Sequence, residues 1–233
     1  VLAVMPWNFP IWQVFRFLAP ALMAGNVALL KHATNVPRCA DVIERVLREA
    51  GVPEGVFATL HIDNAQTAAV IADARIRAVT LTGSERAGRT VAATVGAHMK
   101  KCEMELGGSD PFVVLADADL DAAMPIALSS RFGNAGQTCI AAKRFIVVDA
   151  VADAFIERFV EGARMLAVGD PSVDATTLAP MARTDLRDAV HRQVQASVAA
   201  GAKLLCGGLP LPLPTAYPAT ILDRVAPGMP AYH

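Results

Sequence analysis

Ala78-Val79-Thr80-Leu81-Thr82-Gly83-Ser84-Glu85-Arg86-Ala87-Gly88 runs from a short apolar stretch, through a Gly-Ser turn, into a helical pattern that continues to about Met99. The spacing predicts a buried strand over 78–82 feeding directly into a helix. Such a turn presents backbone N–H groups at the helix start, where they suit a phosphate. It is not the G-x-G-x-x-G dinucleotide fingerprint, so alone it is a weak signal. The same alternation repeats upstream. Strands are predicted at Val1–Met5, Val27–Lys31 and Val56–Leu60, and helices at Ile11–Ala24, Val36–Ala50 and Ala65–Asp73. Gly25 and Gly51 fall just past two helix ends, Asn35 reads as an N-cap, and Pro37 sits in a first turn. Continuously apolar strands separated by amphipathic helices imply a parallel sheet covered on both faces, a doubly wound α/β layout. Ligands bind such sheets beyond the carboxyl ends of their strands.

A second α/β series follows, with strands at 111–115, 144–148 and 204–206 and helices at 120–131, 152–166 and 186–200. Gly207-Gly208-Leu209-Pro210-Leu211-Pro212-Leu213-Pro214 has prolines at alternate positions and is confined to a loop or an edge. The boundary between the two series lies near Leu106-Gly107-Gly108, dividing the chain into domains over 1–106 and 107–233. Val1 starts inside a predicted strand and no closing element follows Met229, so the chain is expected to be a piece of a longer protein, truncated at both ends.

Composition narrows the class. Twenty-one basic and 22 acidic residues leave a net charge of −1, which removes the electrostatic case for nucleic acid or an anionic membrane as main partner. Hydrophobic residues make up 54% and charged ones 18%, too apolar for a disordered chain. Mean hydropathy is high at +0.39. Even so, the wholly apolar stretches are far below the ~18 residues a spanning helix needs, and no membrane span is expected. Four scattered cysteines without a C-x-x-C pair argue against a disulfide framework or thiolate zinc site, and make a reducing, cytoplasmic setting the default. The histidines, among them His32, His61, His98 and His191, lack metal-ligand spacing and read as surface or core residues; no metal is expected.

Several residues are candidates for chemistry. Cys139, in Gly136-Gln137-Thr138-Cys139 between a predicted helix and strand, is either an accessible nucleophile or a small core residue. Cys39 and Cys102 read as structural. Glu105, at the end of an apolar strand before Leu106-Gly107-Gly108, is either a turn cap or a general base. Asn8, between Trp7 and Phe9 with Pro6 and Pro10 outside them, is either a turn residue or an oxyanion donor.

Together these residues resemble the central part of the NAD(P)-dependent aldehyde dehydrogenase superfamily. The resemblance rests on Pro6-Trp7-Asn8-Phe9-Pro10, Lys31, Gly83-Ser84-x-x-x-Gly88, Glu105-Leu106-Gly107-Gly108, and Gly136-Gln137-x-Cys139 followed by Arg144, in matching order and spacing over essentially the whole chain. It implies a cofactor-binding domain over 1–106 and a catalytic domain over 107–233. Cys139 would be the thiolate that attacks the aldehyde carbon, with the Asn8 side-chain amide and the Cys139 backbone N–H holding the oxyanion. Glu105 would activate the water that hydrolyses the thioacyl intermediate. Lys31 would bond the adenosine ribose and Ser84 the pyrophosphate. Trp7, Thr34, Gly83, Gly88 and Leu106 would complete the cofactor site.

The departures from the family pattern are informative. Lys-Pro-x-Glu, common in NAD-preferring members, appears as Lys31-His32-Ala33-Thr34, which puts a hydroxyl where a ribose-chelating carboxylate would be. NADP is therefore expected to serve at least as well as NAD. Gly107-Gly108-Ser109-Asp110-Pro111 and Trp12-Gln13-Val14 resemble a succinate-semialdehyde dehydrogenase subgroup, and Arg16, eight residues past Asn8, would grip the distal carboxylate of the substrate. A second arginine some members carry is Gly133 here, with Arg131 nearby. The bland reading of Arg16 is a structural salt bridge. The family's downstream Glu-x-Phe-Gly-Pro segment and oligomerisation hairpin are absent from the chain, and the full-length protein is expected to be a homo-oligomer. The rivals are a CoA-acylating semialdehyde dehydrogenase, a non-catalytic relative, and a cysteine hydrolase.

Overall fold

The computed structural model describes residues 1–232. The chain forms two compact units, Val1–Gly107 and the residues from Gly108 onward.

The first unit is built on strands β1 (Leu2–Met5), β2 (Ala28–His32), β3 (Phe57–Thr59), β4 (Ala78–Gly83) and β5 (Lys101–Leu106), in the order β3-β2-β1-β4-β5. All four pairings are parallel. Side chains alternate across a strand, and the two faces separate accordingly. Ala3, Met5, Ala28, Leu30 and Phe57 pack under helices α1 (Trp12–Met23) and α2 (Pro37–Glu49), against Val14, Leu18, Ala40 and Ile43. Leu2, Val79 and Leu81 pack on the opposite face under α3 (Asn64–Ala72) and α4 (Glu85–Ala97), against Ile71, Val91 and Val95. Leu2 and Leu30 are fully buried, and each such side chain contributes about 1.5–3 kcal/mol of transfer free energy. The sheet is thus parallel and covered on both faces. The chain order reverses direction between β1 and β4, so the carboxyl ends of these strands form the crevice where open α/β sheets bind ligands.

Some local details differ from the sequence reading. Asn35 does not cap α2: the helix starts at Pro37 with Val36 as N-cap and no side-chain cap bond. A missed capping box starts α3 instead, where the Asp63 carboxylate accepts from the Gln66 N–H and the Gln66 side chain accepts from the Asp63 N–H. β5 is not an apolar strand. It pairs only with β4, lies at the sheet edge, and leaves Lys101, Cys102, Glu103 and Glu105 exposed. Cys102 is accordingly not a core residue.

The second unit pairs β6 (Asp110–Val114) in parallel with β7 (Ala142–Val147). Helices α5 (Leu120–Phe132) and α6 (Asp149–Arg164) pack on them through Phe112, Phe132, Phe145, Phe155 and Phe159, whose ring centroids lie 4.6–5.9 Å apart. α7 (Thr184–Ala199) leads to β8 (Lys203–Cys206), which pairs antiparallel with β9 (Ile221–Asp223). β9 was not foreseen: three residues are too short for a period to declare itself. The proline run 207–214 is irregular, as its alternate prolines require.

Candidate active site

In the first unit the candidate cofactor residues line the carboxyl edge of the sheet. Trp7 and Asn8 follow β1, Lys31 lies near the end of β2 with Thr34 in the turn beyond it, and Gly83-Ser84 closes β4. Glu105 and Leu106 end β5, opposite Thr82 and Gly83 in the β4 register. Residues spread from 7 to 106 are collected there because parallel strands all end on one side.

The turn after β4 has the features a phosphate needs. Ser84 is the N-cap of α4, and its Oγ accepts from the Ala87 N–H at 3.3 Å. The other first-turn N–H groups of a helix have no intrahelical acceptor. Gly88 is buried, and a Cβ there would come within 2.8 Å of the Leu106 side chain, so glycine lets α4 lie close to β5. Lys31 is buried, and burial pushes its ammonium pKa down while the charge of Asp63 opposes the shift. Thr34 is exposed. A desolvated ammonium, a helix N-terminus and a hydroxyl-bearing turn along one edge fit an anionic dinucleotide.

His32 fixes the Pro6–Pro10 loop. Its Nδ1 accepts from the Ala33 N–H at 2.9 Å, so Nε2 is the protonated nitrogen and donates to the Pro10 carbonyl at 2.9 Å. Burial, the leading cause, pushes its pKa down and keeps the ring neutral. His32 is thus a core histidine that anchors the far end of the loop carrying Asn8. No spacing in the sequence pointed to that anchor.

Arg16 and Glu105 meet in this unit. Arg16 Nη2 donates to Glu105 Oε1 at 2.7 Å, across a cavity of about 280 Å³ also lined by Met5, Gln13, Thr82 and Glu103. Although Arg16 sits among the apolar residues Val14-Phe15-Arg16-Phe17-Leu18, it is not buried with them: its side chain is 46% exposed, and that of Glu105 is 47%. The one-turn periodicity of α1 turns Val14 and Leu18 into the core and Arg16 away from it. Glu105 is not a turn cap. Its carboxylate reaches across the cavity from the edge strand.

In the second unit, Cys139 follows a left-handed turn. Asn134, Ala135 and Gly136 have φ of 53°, 55° and 73°, and each non-glycine residue in that region costs roughly 1–2 kcal/mol. The positive φ favours glycine at 136, and a Cβ there would also lie 2.6 Å from Arg131 Nη2, which would have to move. Arg131 lies against Gly136, and burial lowers its pKa. Gln137 staples the loop in both directions: Nε2 donates to the Asn134 carbonyl at 3.0 Å, and Oε1 accepts from the Ala182 N–H at 3.0 Å. Arg144 donates from Nε and Nη2 to the Ser109 carbonyl at 3.1 and 2.8 Å. Cys139 itself is half-buried. Backbone strain held by several side chains is characteristic of functional loops.

No helix among the described residues is long and apolar enough to cross a membrane. Among the described residues, no group of three or more His, Cys, Asp or Glu side chains is placed to hold a metal ion.

Comparison with known proteins places the chain among relatives of one kind. The chain is 52% identical over 233 residues to the NAD(P)+ succinate semialdehyde dehydrogenase of Escherichia coli strain K12, covering 100% of this chain and 50% of that protein. It is 51% identical to the NADP+ succinate-semialdehyde dehydrogenase of Mycolicibacterium paratuberculosis, again covering all of this chain and 49% of the relative. The crystal structure of succinic semialdehyde dehydrogenase from Streptococcus pyogenes in complex with NADP+ superposes with a TM-score of 0.97 at 40% identity, over 100% of this chain and 51% of that one. The chain therefore spans about half the length of the curated relatives it matches. The profile described as the aldehyde dehydrogenase family matches residues 1–233. With that match over the whole chain and relatives near 50% identity along its full length, the chain belongs to the aldehyde dehydrogenase family.

Proposed function

We propose that the protein containing this chain oxidises succinate semialdehyde to succinate with NADP+, and accepts NAD+ as well. The observation that carries the reading is Arg16, a half-exposed guanidinium at a cavity that already engages a carboxylate at 2.7 Å. It is supported by relatives named for this reaction.

Cys139 is the nucleophile. Its thiolate forms a C–S bond to the aldehyde carbon, and the carbonyl electron pair moves to oxygen. Asn8, through its side-chain amide, and Cys139, through its backbone N–H, are the proposed donors to that oxyanion. A bound nicotinamide would supply the hydride acceptor; loss of hydride from the same carbon leaves a thioester on Cys139. Glu105 accepts a proton from water as the water attacks the thioester, and the C–S bond breaks to return the thiolate and release the carboxylate. Trp7, Lys31, Thr34, Gly83, Ser84 and Leu106 are the proposed cofactor contacts. Gly88 acts by admitting α4 close to β5.

The CoA-acylating alternative needs no hydrolytic base, so Glu105 argues against it. The test is a product assay on a protein of the relatives' length that contains this chain. Reduction of NADP+ should yield free succinate without CoA; a strict CoA requirement would overturn the hydrolytic reading. In the same protein Thr34→Glu would return a carboxylate to the turn after β2, where it would repel a 2′-phosphate and chelate the ribose hydroxyls. The ratio of kcat/KM for NADP+ over NAD+ should fall by about tenfold or more, since one close like-charge pair is worth about 1–2 kcal/mol near a protein surface. An unchanged ratio would remove Thr34 from the cofactor site.

A further inference from the structure

Lys143 was not a candidate from sequence, where it is one of two basic residues at the start of a strand. Its backbone belongs to β7, but its ammonium folds over the loop ahead of that strand. Nζ donates to the Gly108 carbonyl at 2.6 Å, the Cys139 carbonyl at 3.1 Å and the Thr138 carbonyl at 3.3 Å. An ammonium has three donors, and all three are spent on main-chain carbonyls, two of them those of Thr138 and Cys139. The Thr138 carbonyl also accepts from the Ala141 N–H at 3.2 Å.

This arrangement bears on the thiol for a covalent reason. The Thr138 carbonyl and the Cys139 N–H belong to one planar trans peptide, and in such a plane the two groups point in opposite directions. Holding the carbonyl therefore fixes the direction of the N–H. The segment needs holding, because it follows directly on a left-handed turn through Asn134 and Ala135.

We propose that Lys143 is a positioning residue: its ammonium clamps the carbonyls of Gly108, Thr138 and Cys139 and so aims the Cys139 N–H at the oxyanion that forms when the thiol adds to the aldehyde. The inference rests on the reading of Cys139 as nucleophile. Lys143 is exposed overall, yet its surroundings still act on the ammonium. Burial, the leading cause, lowers its pKa, the charge of Arg131 acts in the same direction, and Asp110 and Cys139 oppose it. Arg144, the next residue, does related work on the Ser109 carbonyl. The two side chains together fasten the segment entering β6 to the start of β7.

The test compares Lys143→Met with Lys143→Arg in a protein of the relatives' length that contains this chain. Two readouts are taken: hydrogen exchange of the amides over 134–142, and the pre-steady-state burst of reduced cofactor at saturating succinate semialdehyde. Lys143→Met should speed exchange over 134–142 by tenfold or more while α5 and α6 keep their protection. It should slow the burst by about 10–100-fold, below the loss seen when an oxyanion donor is removed outright, and leave KM within about threefold. Lys143→Arg, which keeps the charge and the donors, should recover at least a third of the burst rate. If Lys143→Met does not fold, Lys143→Gln gives the same comparison with one neutral donor. Unchanged exchange in the loop overturns the clamp, whatever the activity. Faster exchange with an unchanged burst overturns its catalytic consequence, as does a burst that Lys143→Arg fails to recover. A wild-type protein with no aldehyde-dependent burst would instead refute the proposed reaction, and the exchange comparison would still decide the clamp.

Discussion

Replacing Cys139 by alanine should abolish aldehyde-dependent cofactor reduction in a protein of the relatives' length that contains this chain. In the proposed reaction it is the C–S bond formed by Cys139 addition that holds and activates the hydride-donating carbon, and the thioester is what remains once the hydride has left. Cys39, Cys102 and Cys206 offer no substitute: Cys39 lies within α2, Cys102 is on the exposed edge of β5, and Cys206 ends β8. Glu105→Gln should separate the two halves of the reaction. Gln keeps the shape and can still engage Arg16, but cannot take a proton from water. The burst of reduced cofactor should survive while the steady-state rate falls by about 10²–10⁴-fold, the usual contribution of a positioned general base. Wild-type turnover in Cys139→Ala, or a burst lost along with turnover in Glu105→Gln, would show that these roles are misassigned. Stopped-flow absorbance of the reduced cofactor reads both outcomes.

The second large effect concerns Arg16. In the structure its partner is Glu105, and both side chains are close to half-exposed. An exposed ion pair of that kind is worth about 0–1 kcal/mol. A bidentate, charge-assisted pair with the carboxylate of a bound semialdehyde is worth about 1.5–3 kcal/mol, so the substrate can take the guanidinium from Glu105. Arg16→Ala should then lower kcat/KM for succinate semialdehyde by about 10–200-fold. Butanal, which has no carboxylate, should change by no more than about fivefold, the worth of the exposed pair. Equal losses for both aldehydes would make Arg16 a structural partner of Glu105 and nothing more. Parallel progress curves with the two aldehydes are sufficient to decide.

The sequence by itself determined the features that depend on neighbours along the chain. Four strand–helix repeats in the first unit were legible because apolar period, glycine stops and turn residues act within a few positions. Gly25 and Gly51 do take left-handed conformations, with φ of 81° and 84°, at the ends of α1 and α2. Motif order also carried the family, and placing a motif at a strand end was enough to put Lys31, Ser84 and Glu105 on the carboxyl edge. Strand order is a different matter. That β5 is an edge strand, and that Cys102 is therefore exposed, follows from which strands pair and not from the six residues Lys101–Leu106.

Only the tertiary structure decided which groups share a site within each unit. Arg16 and Glu105 are 89 residues apart, and Lys143 and Gly108 are 35 apart. Each meeting depends on the placement of one element against another: α1, packed on β1 and β2, relative to the end of β5 in the first case, and the start of β7 against the residues entering β6 in the second. Hydrophobic packing sets that register to within a side chain. Changing the buried Val14 and Leu18, or the partly buried Phe112 and Phe145, would move the charged groups without altering any local signal around them. Charged side chains at a site carry no periodicity of their own, since their positions are dictated by partners distant in the chain, and packing alone brings those partners within hydrogen-bonding reach.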